Sequence, residues 1–132
     1  MQLTSPTQTV QPKSSIHSNQ TQLLEEYQKK MDVLTTLTAD RPVVIFSKST
    51  CSMTHTVKAL ICSFGANPAV IDVDKMPSGQ QVERALLQLG CRPSVPAVFI
   101  GQQFIGGADQ VISLNVQNKL VQLLLRARAI FV

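Results

Sequence analysis

The order of apolar segments between residues 43 and 105 constrains the fold of this chain more than any other feature. Four short apolar runs predict strands: 43–46, 69–73, 97–100 and 103–105. Two longer segments between them predict helices: about 50–64 and about 79–89. Strand–helix–strand units require a right-handed crossover and a parallel strand pair, whereas the final hairpin adds antiparallel strands. The sequence therefore predicts an α/β fold, a four-stranded mixed sheet flanked by helices.

Both ends of the chain extend beyond this unit. Residues 1–21 are rich in Gln, Thr, Ser and Pro, and they have few large apolar side chains to offset chain entropy. We therefore predict a disordered tail over 1–21 and a single domain over 22–132, which opens with a helix over 23–37. Near the other end, Asp109 is predicted to cap a short helix, and 116–128 predicts a last helix.

Composition and charge argue against several functional classes. The net charge is +4, but the basic residues are scattered rather than interleaved with aromatic ones, so we expect no direct nucleic-acid binding. No stretch approaches the roughly 20 apolar residues that span a bilayer, and the N-terminus has no features of a secretory signal. The three cysteines form no even-numbered disulfide framework. These features predict a cytoplasmic or nuclear protein with no membrane association.

Cys51 is the candidate nucleophile. It follows the first predicted strand and precedes a helix, whose free N–H groups and dipole favour a thiolate, and Lys48 adds a positive charge. Cys62 lies eleven residues further along that helix, a rise of ~16 Å. Such a separation exceeds the ~7 Å limit for bridged Cα atoms. Cys62 is therefore predicted to pack in the core, and so is Cys91, which follows a helix end, although its loop could also bring Cys91 near Cys51.

The sequence around Cys51 resembles that of a known family. The matching parts are 43–51, Met53 and His55, the segment 86–101 with its Ser-Val-Pro run, and the Gly-Gly pair at 106–107. From near Met31 onward, the chain resembles the glutaredoxins, and in detail the plant CC-type (class III) branch. The resemblance implies a thioredoxin-like fold and glutathione-dependent thiol–disulfide oxidoreductase activity.

Two departures from that branch define the expected chemistry. Ser52 replaces the second cysteine of the branch, and Thr54 occupies the position of the resolving cysteine in dithiol members. An active-site disulfide cannot form without that cysteine. The resemblance therefore implies a monothiol cycle, in which Cys51 takes glutathione as a mixed disulfide and a second glutathione removes it.

The resemblance also implies a glutathione groove. Its residues are Lys48, Arg92, Val95, Pro96, Gly107, Ala108 and Asp109. The backbone of Val95, ahead of a cis Pro96, would pair with the ligand. Lys48 and Arg92 would hold the glycine carboxylate. The other three residues, at the start of a helix, would receive the γ-glutamyl end.

Two alternative functions remain open. Leu120, Leu123 and Leu124 form a Leu-x-x-Leu-Leu motif, and in class III members a similar segment is associated with binding TGA-type bZIP transcription factors. This predicts a regulatory adaptor in the nucleus, although the same leucine spacing also suits core packing. In the other alternative, Cys51 and glutathione from two protomers ligate an iron–sulfur cluster. No feature of the sequence argues specifically for such a cluster.

Overall fold

The structure is a computed structural model that describes residues 10–130. Residues 1–9 and 131–132 lie outside it, and side chains are described from residue 20 onward except those of residues 27 and 30. The strands are β1 (Val43–Ser47), β2 (Ala69–Asp72), β3 (Ala97–Ile100) and β4 (Gln103–Gly106). The helices are α1 (Val10–Thr38), α2 (Met53–Cys62), α3 (Gly79–Gln88), α4 (Ala108–Val116) and α5 (Leu120–Arg126).

The four strands form one mixed sheet in the order β2-β1-β3-β4. The first two strands are parallel, with Val44 opposite Ala69, and the other two pairs are antiparallel. Every residue of β1 and β3 is buried, because these central strands are covered on both faces. The sheet and its flanking helices confirm the predicted fold.

The two faces of the sheet carry separate apolar clusters. Alternate residues of a strand point to opposite faces, so Phe46 faces the cluster formed with α1 and α3. Ile45 faces the cluster formed with α2, α4 and α5. Phe46 and Phe99 meet edge to face, with ring centroids 5.5 Å apart. The helices therefore cover both faces, and the loops at the end of β1 and the start of β3 carry the candidate site.

The first helix differs from the sequence-based prediction. Residues 10–21, which we predicted to be disordered, belong to α1. The chain has no Pro or Gly between Pro12, which lies in the first turn of the helix, and Pro42. A helix anchored at Leu34, which is only 2% exposed, can therefore continue through the polar segment before it. The prediction for residues 1–9 falls outside the described residues, and the proposed boundary at residue 22 lies within α1.

The last helix is shorter than predicted. Residue 116 ends α4, residues 117–119 form a turn, and α5 covers only Leu120–Arg126. Asn118 adopts a φ of 60°, a left-handed conformation that asparagine tolerates better than most residues, and this breaks the helix. Between residues 10 and 130, no helix combines the length and apolar character needed to cross a membrane.

Candidate functional site

A cavity of about 610 Å³ opens beside Cys51. Its walls come from the start of α2, the loop before β3, the end of β4 and the start of α4. Seven of the eight predicted catalytic and glutathione-binding residues line it: Cys51, Arg92, Val95, Pro96, Gly107, Ala108 and Asp109. The structure therefore gathers these seven residues, from distant parts of the chain, around one space.

Cys51 lies directly before the helix cap of α2. Its N–H donates to the carbonyl of Lys48 at 2.9 Å, which closes the turn after β1. Ser52 is the N-cap residue, and its carbonyl accepts the N–H of His55 at 3.2 Å. Cys51 is half-buried and unbridged. A free thiol at the amide end of a helix, open to a cavity, is placed for nucleophilic attack on a disulfide.

Thr54 is turned into the fold. It is 7% exposed, and its hydroxyl lies 2.6 Å from the hydroxyl of Ser47 at the end of β1. Ser47 Oγ also donates to the carbonyl of Lys48 at 3.1 Å. Since a serine hydroxyl has one proton, Thr54 is the donor to Ser47. The position three residues after Cys51 therefore holds a buried, hydrogen-bonded hydroxyl.

The other two cysteines differ from each other. Cys91 is buried, as predicted, and its Sγ donates to the carbonyl of Pro93 at 3.2 Å. Burial raises the pKa of the Cys91 thiol, which disfavours its thiolate. Cys62 is exposed, so the prediction that it packs in the core is wrong. Ile61 faces the sheet instead, and the next residue on a helix points about 100° away.

The loop before β3 places backbone groups at the edge of the cavity. The Val95–Pro96 peptide is cis, as predicted, and the Arg92–Pro93 peptide is cis as well. The last register pair between β3 and β1 is Ala97 with Phe46. The backbone of Val95 therefore lies beyond the strand pairing of the sheet and borders the cavity.

Lys48 does not line this cavity. Its ammonium forms an ion pair of 2.9 Å with Glu83 of α3. The hydrogen bond and the charge of Glu83 raise the pKa of Lys48. Ser94 Oγ donates to the same carboxylate oxygen at 3.2 Å. Sequence reasoning missed Glu83, because its two partners lie 35 and 11 residues away along the chain and no local pattern marks them.

The start of α4 is capped differently from the prediction. Gly107, not Asp109, is the N-cap residue, and its N–H donates to Gln110 Oε1 at 2.9 Å. The side chain of Gln110 reaches the cap because residues three apart share a helix face. Gly106 has a φ of 143°, and a Cβ there would lie 2.6 Å from Gln110 Cβ, so glycine is required. Asp109 is exposed in the first turn.

The leucine motif of α5 lies mainly in the core. Leu120 and Leu124 are 0% exposed within the cluster that also holds Ile61. Leu123 is half-buried and packs against the same cluster. The prediction that Leu120 and Leu124 contact a partner is therefore wrong, because side chains four apart on this helix face are enclosed by the domain itself.

The iron–sulfur alternative rests on Cys51 and glutathione rather than on a cluster of side chains within one chain. Among the described residues, no three His, Cys, Asp or Glu side chains form a group that could hold a metal ion. A cluster shared between protomers through Cys51 and glutathione stays a prediction.

Known proteins match both the sequence and the fold. The family model named Glutaredoxin matches residues 43–105. Monothiol glutaredoxin-S6 of Arabidopsis thaliana is 56% identical over 102 residues, which cover 77% of this chain and 100% of the relative. Glutaredoxin-C1 of Oryza sativa subsp. japonica is 48% identical over 103 residues, again covering 77% and 100%. These matches confirm the resemblance to plant glutaredoxins.

A solved structure shares the architecture as well. The crystal structure of a buckwheat glutaredoxin–glutathione complex is 36% identical in sequence and superposes with a TM-score of 0.73. The match covers 81% of this chain and 97% of the buckwheat chain.

Proposed function

The chain belongs to the glutaredoxin family of glutathione-dependent thiol–disulfide oxidoreductases, and we propose that it acts by a monothiol cycle at Cys51. One observation carries this proposal. Cys51 opens onto a cavity together with the predicted glutathione-binding loops, while Thr54, at the position of a resolving thiol, is buried and bonded to Ser47. The buckwheat neighbour was solved as a glutathione complex, which supports glutathione as the ligand of this cavity.

The proposed cycle has two exchange steps. The Cys51 thiolate attacks the glutathione sulfur of a mixed disulfide, a new S–S bond forms, and the substrate thiolate leaves and takes a proton. A second glutathione thiolate then attacks the glutathione sulfur bound to Cys51. Oxidised glutathione leaves, and the Cys51 thiolate is restored.

The residues around the cavity would bind the glutathione moiety. The free backbone edge at Val95 can pair with the cysteinyl part of the ligand, as an added strand pairs with a sheet edge. Arg92 is exposed at the cavity and offers a cation for a carboxylate. The first-turn N–H groups of α4, at Ala108 and Asp109, have no acceptor within the helix and can bind the γ-glutamyl carboxylate.

The test is reduction of a glutathionylated peptide with glutathione as the reductant. We expect Cys51→Ser to abolish turnover and Cys62→Ser, the matched control on the exposed end of α2, to retain it. Peptide mapping after treatment with oxidised glutathione should find one glutathione on Cys51. A Cys51–Cys91 bridge as the main product would contradict the monothiol cycle.

The location and the regulatory role are further proposals. We propose that the protein acts in the cytoplasm and in the nucleus, and the adaptor role toward TGA-type bZIP factors stays a prediction. Because Leu120 and Leu124 are enclosed, any such partner would have to contact other residues.

A further inference from the structure

One carboxylate oxygen connects the two loops that flank the nucleophile. Glu83 Oε2 lies 2.9 Å from Lys48 Nζ and 3.2 Å from Ser94 Oγ. Lys48 is three residues before Cys51, and Ser94 is directly before Val95. The side chain of Glu83 is 27% exposed, so the pair is partly shielded from solvent. Glu83 therefore ties the loop before α2 to the loop before β3.

The same contact changes the charge that a ligand meets. Glutathione carries two carboxylates, whereas the charged residues that line the cavity within the described part of the chain are Arg92 and Asp109. Lys48, the second cation predicted for the glycine carboxylate, is paired with Glu83 instead. A carboxylate that approached Lys48 would have to displace Glu83 or lie close to its negative charge, and like charges repel.

We infer that Glu83 is a specificity-determining positioning residue, which holds Lys48 away from the ligand and lowers the reactivity of the site toward glutathione carrying a free glycine carboxylate. The inference rests on the proposed function, since it concerns the same cavity. Glu83 has two separable effects: its oxygen joins two loops, and its charge holds the ammonium. A glutamine at this position keeps an oxygen that can accept hydrogen bonds but removes the charge.

The experiment measures the rate at which oxidised glutathione glutathionylates Cys51 in the full chain. In this step the Cys51 thiolate attacks one sulfur, the S–S bond of the reagent breaks, and glutathione leaves as a thiol after taking a proton. A second reagent, in which both glycine carboxylates are amides, lacks the charge in question. We expect the Glu83→Gln variant to react ~3- to 10-fold faster than the unmodified chain with oxidised glutathione. Its rate with the amide reagent should change little. Glu26→Gln, the same change on an exposed residue of α1, should alter neither rate.

Two further variants separate charge from structure. If Lys48 is the released cation, the gain from Glu83→Gln should disappear in a Lys48→Gln background, because no ammonium remains to be freed. Glu83→Ala removes the charge without adding an amide, and it serves as the second variant if Glu83→Gln folds poorly. Like Glu83→Gln, this variant should raise the ratio of the reaction rate with oxidised glutathione to the reaction rate with the amide reagent.

The outcomes distinguish the two proposals. An unchanged rate ratio in both Glu83 variants, or an equal loss of rate with both reagents, would overturn the inference and leave Glu83 as a structural tie only. No Cys51-dependent reaction of the unmodified chain with oxidised glutathione would instead overturn the proposed function, and the inference with it.

Discussion

Replacing Thr54 with valine tests the hydrogen bond between the hydroxyl groups of Thr54 and Ser47. Valine has nearly the shape of threonine, so the change removes the hydroxyl without opening a cavity. Thr54 is 7% exposed and Ser47 is 2% exposed, so water would not readily replace the lost partner. A net hydrogen bond is worth ~0.5–1.5 kcal/mol, and a buried group left unsatisfied costs ~1–3 kcal/mol. We expect Thr54→Val to lower the free energy of unfolding by ~1–2 kcal/mol.

Urea unfolding measures this change as a shift of the midpoint. With a typical slope of ~1–3 kcal/mol per molar urea, the midpoint should fall by roughly 0.3–2 M. Ser47→Ala should also destabilise the protein, since it leaves the Thr54 donor unpaired and removes the bond to the Lys48 carbonyl. The double variant should be more stable than the sum of the single changes predicts, by ~1 kcal/mol. Strictly additive effects, or an unchanged midpoint for Thr54→Val, would refute this account.

Three further predictions follow from other contacts. During limited alkylation followed by mass spectrometry, Cys91 should be modified more slowly than Cys51, because it is buried and its thiol pKa is raised. The hydrogen bond from Ser49 lowers the pKa of Asp74, so its stabilisation is present above the unfolded-state pKa and is lost as pH falls through the lower folded-state pKa. Asp74→Asn should therefore show a weaker loss of stability on acidification, measured by urea unfolding at neutral and acid pH. Gly106→Ala should destabilise the protein by about 1–3 kcal/mol, because of its positive φ and the close approach of a side chain, and an unchanged melting temperature would contradict this reading.

The strands could be predicted because their signal is local. The runs at 43–46 and 97–100 are apolar throughout, which is typical of strands buried on both faces, and the structure places them at the centre of the sheet. The setting of Cys51 was equally predictable, because the residue lies between such a strand and a helix. Both predictions needed only the sequence of one strand or helix and of the segment next to it.

The errors arose where a distant or competing contact decides the structure. Asp109 is a good capping residue by type, yet Gly107 takes the cap because Gln110 reaches its N–H. The leucines of α5 have the spacing of both a docking helix and a packed one, and only the position of the helix against the sheet separates the two. Cys62 could not be placed without knowing that Ile61 faces the core.

The loop between β1 and α2, which contains Cys51, is held by contacts that no local sequence pattern predicts. Within the loop, the carbonyl of Lys48 accepts the N–H of Cys51 and the hydroxyl of Ser47, but two carboxylates from elsewhere bind the side chains of Lys48 and Ser49. Glu83 of α3 takes Lys48, and Asp74, in the short turn after β2, accepts the N–H and the hydroxyl of Ser49. Because these carboxylates lie on different elements, the loop is anchored from two directions. The place of Cys51 between β1 and α2 is therefore readable from the local sequence, whereas the charges beside its loop depend on carboxylates that two other elements bring to it.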